Sequence, residues 1–257
     1  MKTLSKRGRW LGRAAALIGL VFATVGTAET ASSYEFRSPP DSVPMSVTSR
    51  EIDASNAEVA SAYGALMSMW TSHFEKLGTR FDQPELVRYR GTVRTGCGVM
   101  PRNNAMYCPG ANTIFFDEAF VAGVAKQIGR QLGTDGDMAA VGVIAHEVGH
   151  AVAIQLGYES RFTYTNEATA DCLAGAFARS AREDGSLEKG DLEEAYLGMA
   201  MAGDAEPELT GNRRVDARIV QRAALMGHGT REQRMENFRT GLDRGPEGCL
   251  PAFAERT

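Results

Sequence analysis

Histidine is scarce in this chain of 257 residues, with four in all, and cysteine is equally rare. No two cysteines stand in a C-x-x-C spacing, which removes the usual cysteine-rich zinc site. No run of Lys and Arg is interleaved with aromatics, and the formal charge is -4. A net negative surface repels phosphate backbones, so nucleic acid is excluded as a partner. Repeated membrane-length apolar runs, internal repeats and low-complexity tracts are also missing. With 43% hydrophobic and 23% charged residues, the composition is that of an ordinary soluble protein, and disordered, fibrous and multi-span membrane classes fall away. No twin-arginine pair precedes the first apolar run and no cysteine follows it, so neither twin-arginine export nor a lipoprotein anchor is indicated.

What is present begins with Lys2, Lys6, Arg7, Arg9 and Arg13, without an acid, ahead of an apolar stretch from Ala14 to about Gly26. That layout predicts a signal peptide over 1–28, with Gly26 and Ala28 as the small residues of the cleavage site. The apolar run is shorter than the ~20 residues that span a bilayer, and no stable membrane insertion is expected after cleavage. An uncleaved amino-terminal anchor is the alternative. Without 1–28, 23 Lys and Arg face 32 Asp and Glu, a formal charge of -9. Cys97, Cys108, Cys172 and Cys249 all lie in the exported part, where an even number predicts two disulfides in a periplasmic or secreted protein. Three pairings are open. The short Pro/Gly/Asn-rich loop between Cys97 and Cys108 favours that pair, which leaves Cys172 with Cys249.

Residues 29–56, rich in Ser, Pro and Thr, read as a flexible tether, and a single domain is expected over 57–257. Tyr63, Leu66, Met67, Trp70, Phe74 and Leu77 recur at helical spacing; His73 in that helix reads as an ordinary, partly exposed histidine. One or two short strands fit Phe81 to Met100, and Thr113 to Phe116 is a further strand. Helices are predicted from Asp117 to about Leu132, from Met138 to Leu156, and over 166–182, 187–201, 213–226 and 231–242. The fold class is therefore α+β, mainly helical, with a small sheet.

The helix from Met138 to Leu156 is apolar almost all round and so predicted to be buried. Within it stands His146-Glu147-Val148-Gly149-His150, an H-E-x-x-H that sets two imidazoles one turn apart on one face. Such a pair can hold one zinc ion, and Glu147, about 100° around the helix, would sit beside the open position of a catalytic site. Zinc lowers the pKa of water towards ~7, and the carboxylate can take its proton during attack on a carbonyl. Burial strengthens this reading, because two histidines and a glutamate on an apolar helix are costly unless a metal or hydrogen bonds satisfy them.

A third ligand must come from elsewhere. Glu167 and Asp171, in Glu-Ala-Thr-Ala-Asp, share a helical face one turn apart. Glu167 can be the ligand, with Asp171 accepting the second N–H of a ligating histidine, most simply His146; the swapped assignment is the alternative. Tyr107-Cys108-Pro109 before a short strand, HisGluValGlyHis, GluAlaThrAlaAspCysLeuAlaGly and His228-Gly-Thr-x-x-Gln-Arg234 together resemble the bacterial neutral zinc metallopeptidase family over roughly Arg94 to Cys249. The chain departs from that family's commoner wording at Ala151 and at Ala168-Thr169, neither a proposed ligand. The resemblance implies a zincin-like fold with one Zn2+ per chain, extracytoplasmic location, and a short edge strand above the active-site helix. Thr113 to Phe116 would be that strand, able to pair with a peptide or protein substrate.

His228 lies at a Gly-containing break between two helices and could donate to an oxyanion. The competing reading has His228 or Thr230 capping the next helix, since Thr230-x-x-Gln233 has capping-box form. Tyr158 and Tyr164 are rival donors. The expectation is an exported zinc peptidase with Glu147 as general base. A catalytically silent zinc-stabilised binding or chaperone-like protein and a non-peptidase zinc hydrolase are the alternatives.

Overall fold

The computed structural model describes residues 46–254; the expected signal peptide and most of the expected tether lie outside them. Helix α1 covers Ser49–Lys76 and starts inside the stretch read as tether. The reason is local. Thr48 and Glu51 form a complete capping box, with the Thr48 side chain accepting from the Glu51 N–H and the Glu51 carboxylate accepting from the Thr48 N–H, and Ile52 adds a buried contact one turn in. The expected stripe of Leu66, Trp70 and Phe74 is fully buried.

Five strands follow: β1 (Glu85–Tyr89), β2 (Val93–Thr95), β3 (Gly98–Met100), β4 (Ala105–Cys108) and β5 (Thr113–Asp117). β2 and β3 form a small antiparallel ladder, while the main sheet has the order β1-β5-β4, with β5 parallel to β1 and antiparallel to β4. The expectation that Thr113 to Phe116 is the edge strand is therefore corrected. β5 is central, which is why Thr113, Ile114, Phe116 and Asp117 are all buried, and β1 and β4 are the two edges. A disulfide joins Cys97, in the β2–β3 turn, to Cys108 at the end of β4.

The helices are α2 (Glu118–Leu132), α3 (Asp137–Gln155), α4 (Thr163–Glu183), α5 (Asp191–Met201), α6 (Arg213–Met226), α7 (Arg231–Arg244) and the short α8 (Pro251–Ala254). The architecture is α+β and mainly helical, as the periodicity predicts. α3 runs through the middle, packed by α1, α2, α4 and α5. Among the described residues it is the one helix long and apolar enough to cross a bilayer, but its apolar surface is spent on the core. α4 and α7 lie against each other so closely that a Cβ at Gly241 would fall 1.7 Å from the Cys172 carbonyl oxygen, and the Cys172–Cys249 disulfide closes this corner. α5 begins four residues later than predicted, because Gly190 takes a left-handed conformation (φ 108°) immediately before it. α6 buries none of its residues and leaves Val215, Val220, Leu225 and Met226 exposed.

The entry to α3 carries a knot of acids. Glu194, fully buried on α5, accepts the N–H groups of Gly136 (3.0 Å) and Met138 (2.9 Å) and so ties α5 to the first turn of α3. Beside it, burial and the neighbouring charges of Asp135, Asp191 and Glu194 push Asp137 up to about 8; burial, opposed in part by the Glu188 backbone bond, pushes Asp191 up to about 6. Carboxyls whose folded pKa is raised bind protons more tightly in the folded chain, so their contribution to stability is present at low pH and lost as pH rises from about 4 towards 8. Asp137→Asn, which stays neutral, is expected to melt a few degrees above the parent at pH 8, with the gap closing as pH falls towards 4. Thermal melts of both proteins across that range check it; a variant that melts below the parent at pH 8 contradicts it.

Candidate metal centre

α3 carries His146 and His150 one turn apart, with their Nε2 atoms 3.2 Å from each other and the rings edge to face. Opposite them lies α4. Gly149, between the histidines, allows the approach, since a Cβ there would fall 2.8 Å from the Ala170 carbonyl oxygen. The contact brings Glu167 to the histidines: its Oε2 is 3.1 Å from His146 Nε2 and its Oε1 is 3.5 Å from His150 Nε2. One donor atom from each of His146, His150 and Glu167 can be chosen so that all three lie within 4.8 Å of one another. Asp171, one turn further along α4 and 0% exposed, lies on the other side of the imidazole, with Oδ1 2.8 Å from His146 Nδ1. Of the two acids, it is Glu167 that faces both Nε2 atoms.

Glu147 is buried, and its Oε2 accepts the backbone N–H of Tyr107 in 2.7 Å. This bond couples the acid of the H-E-x-x-H to the edge strand β4. These residues open onto a cavity of about 570 Å3, whose walls include Ala105, Met106 and Tyr107 of β4 and the apolar side chains of Phe120, Val143, Ile154 and Met199.

Arg234, on the first turn of α7, is the residue that sequence reasoning missed. It is 4% exposed. Its Nε and Nη2 donate to the two oxygens of Asp171 (2.9 and 2.6 Å), and Nη1 donates to the Ala202 carbonyl at 3.0 Å. The signal lies in the His228-Gly-Thr-x-x-Gln-Arg234 segment, where the histidine and the cap are the more conspicuous features. His228 stands at the rim of the cavity with its side chain 56% exposed; its nearest charged neighbour is Asp204, whose carboxylate accepts the His228 backbone N–H at 2.6 Å. Thr230 does cap α7, in a complete box with Gln233. Tyr158 also lines the cavity, whereas the Tyr164 ring packs against Gly229. His73 lies away from all of these, beside the rings of Trp70 and Phe253.

The donor set fits a divalent cation on charge. Three buried or half-buried carboxylates, Glu147, Glu167 and Asp171, face one guanidinium, so with neutral imidazoles the cluster carries -2. In the absence of a metal, the same surplus of negative charge draws protons onto the site. Burial pulls the His146 imidazole down, but bonds to Asp171 and Glu167 outweigh it and raise it to about 10. Burial pushes Glu167 up, and His146 and His150 more than reverse this, to below the ordinary carboxylate range. Two nitrogens and one carboxylate, with space in front of them, are what zinc takes in catalytic sites.

Gly149→Ala tests the α3–α4 approach. Overpacking there is expected to cost roughly 1–3 kcal/mol and to move Glu167 away from the histidines. Melts with and without added zinc should show a larger loss in the zinc-loaded protein than in the zinc-free one. Equal losses would show that the glycine serves packing alone.

A family model described as "Putative neutral zinc metallopeptidase" matches residues 2–252. Among curated proteins, the chain is 37% identical over 197 residues to "Uncharacterized protein YpfJ" of Escherichia coli strain K12, and equally to the protein of that name from Escherichia coli O6:H1. The alignment covers 70% of this chain and 65% of each relative, so the chain spans a little under two thirds of their length. No solved structure matches. Since the family model runs over nearly the whole sequence, including both helices that bring histidines and acids together, the chain belongs to the neutral zinc metallopeptidase family.

Proposed function

We propose that the chain is an exported zinc-dependent peptidase, in which His146, His150 and Glu167 hold the metal, Glu147 is the general base and Asp171 orients His146. The observation that carries this reading is the convergence of both Nε2 atoms and the Glu167 carboxylate at one point of the cavity, with Glu147 beside them. A zinc ion bound there would supply Lewis acidity towards a carbonyl oxygen and a nearby water. Asp171 accepts the His146 Nδ1–H and so keeps Nε2 free as the donor towards the metal. Glu147 takes a proton from the attacking water and returns it to the leaving amine, its carboxylate kept in place by the Tyr107 N–H.

A peptide is the substrate that suits the cavity. Just before β4, the Asn104 carbonyl accepts the Asp117 N–H, a register that turns the backbone groups of alternate residues towards β5 and leaves those of Ala105 and Tyr107 facing outwards. The Tyr107 N–H is engaged by Glu147. Ala105 thus offers backbone groups to an extended chain laid along the edge. The two disulfides support a location outside the cytoplasm. His228, at the rim, is retained as a candidate donor to the substrate.

Metal content of the purified protein, followed by digestion of a denatured protein substrate, tests this function. One zinc per chain with cleavage that a chelator stops is the expected result. Stoichiometric zinc without cleavage of any peptide would favour a zinc-stabilised binding protein, and absence of metal under non-chelating conditions overturns the proposal.

A further inference from the structure

A carboxylate as deeply buried as Asp171 is tolerated only when its oxygens are partnered. A single side chain partners both of them. Arg234 Nε reaches Asp171 Oδ2 at 2.9 Å and Nη2 reaches Oδ1 at 2.6 Å, the two-pronged geometry that a planar guanidinium makes and a lysine does not. The third nitrogen, Nη1, donates to the carbonyl of Ala202 at the end of α5. One fork on α7 thereby joins α4, α5 and, through Asp171, the back of His146 on α3.

We infer that Arg234 is a positioning residue for the metal centre: it fixes the Asp171 carboxylate, which in turn holds His146 with Nδ1 as donor and Nε2 turned towards His150 and Glu167. The inference rests on the zinc reading given above. Arg234 also brings a positive charge close to the donors, with Nη2 3.2 Å from His146 Nδ1 and 3.7 Å from Glu167 Oε2. By charge alone it weakens cation binding; by geometry it strengthens it. The two effects have opposite signs, and Arg234→Lys separates them, because it keeps the charge and loses the fork.

Zinc affinity of the whole chain, with both disulfides formed, is measured by competition with a chromogenic chelator, alongside circular dichroism of the zinc-free proteins. The parent is expected to bind one zinc, and Arg234→Lys to bind it about 10- to 100-fold more weakly, with unchanged dichroism. Asp171→Asn should lose a comparable factor, and the double variant no more than the weaker single one, because both changes break one link. A Lys variant within twofold of the parent, or losses that multiply in the double variant, overturns the inference. If Arg234→Lys does not fold, Arg234→Gln, which drops the charge and the fork and leaves Asp171 in place, takes over. A 10- to 100-fold loss there supports the inference, whereas parental affinity, or failure of this variant to fold as well, overturns it in favour of a purely structural role. A parent that binds no zinc overturns the reading of the site and this inference with it; a zinc-binding parent with an indifferent Lys variant overturns the inference alone.

Discussion

Glu147→Gln is expected to retain one zinc per chain and to lose roughly 10^2- to 10^4-fold in the rate of peptide cleavage, the range general-base catalysis supplies. The substitution is nearly isosteric. The Gln carbonyl oxygen can still accept the Tyr107 N–H that now bonds Glu147 Oε2, so β4 keeps its hold on α3 and the cavity its shape. What is lost is the capacity to take a proton from water, since an amide is no base near neutral pH. Glu147→Ala is a poorer test, because it leaves the Tyr107 N–H, aimed at a buried position, without its acceptor. Initial rates on a fluorogenic peptide, with zinc content measured on the same samples, decide the matter. A loss below tenfold at full zinc occupancy would remove Glu147 as the base and return attention to a binding role.

The parts of this site written within one helix could be read from the sequence, and the parts made between elements could not. Two histidines four apart on an apolar helix have a fixed relative geometry, and Glu167 and Asp171 likewise share one face of α4. Pairing of the cysteines followed from the short loop between Cys97 and Cys108, and both disulfides are formed. The edge strand was misplaced because a four-residue strand such as Ala105–Cys108 carries too little alternation to announce itself, whereas the apolar run of β5 does. That run is the mark of a strand flanked on both sides. Arg234 stayed hidden for a related reason. A buried Asp171 demands a partner, but nothing in one dimension says which of 28 Lys and Arg residues the α4–α7 contact will deliver. The start of α1 was legible in principle: Thr48-x-x-Glu51 has capping-box form, but it was masked by the Ser- and Thr-rich surroundings.

Glu167→Ala is expected to abolish tight zinc binding, and with it the stabilisation that zinc confers. A ligand bound only by the folded state raises its stability by about 4 kcal/mol at a thousand times its Kd, so added zinc should raise the melting temperature of the parent by several degrees and that of the variant hardly at all. The zinc-free variant should still fold. Glu167 is a half-buried residue at the cavity, the two disulfides are untouched, and removal of one carboxylate relieves the excess negative charge that the cluster carries without metal. Asp171→Ala makes the opposite contrast. It strips Arg234 of both its hydrogen bonds to a carboxylate and leaves the buried guanidinium with Glu167, 3.7 Å away, in place of its bonded partner, a change of the kind that costs up to ~3–5 kcal/mol. Its loss should therefore appear in the zinc-free melt as well as in zinc affinity. If instead Glu167→Ala kept its zinc and Asp171→Asn, which preserves volume, lost it altogether, the two acids would have to exchange roles. The geometry argues against that outcome, since Asp171 approaches His146 from Nδ1, on the side of the ring away from His150, and the carboxylate that reaches both Nε2 atoms belongs to Glu167.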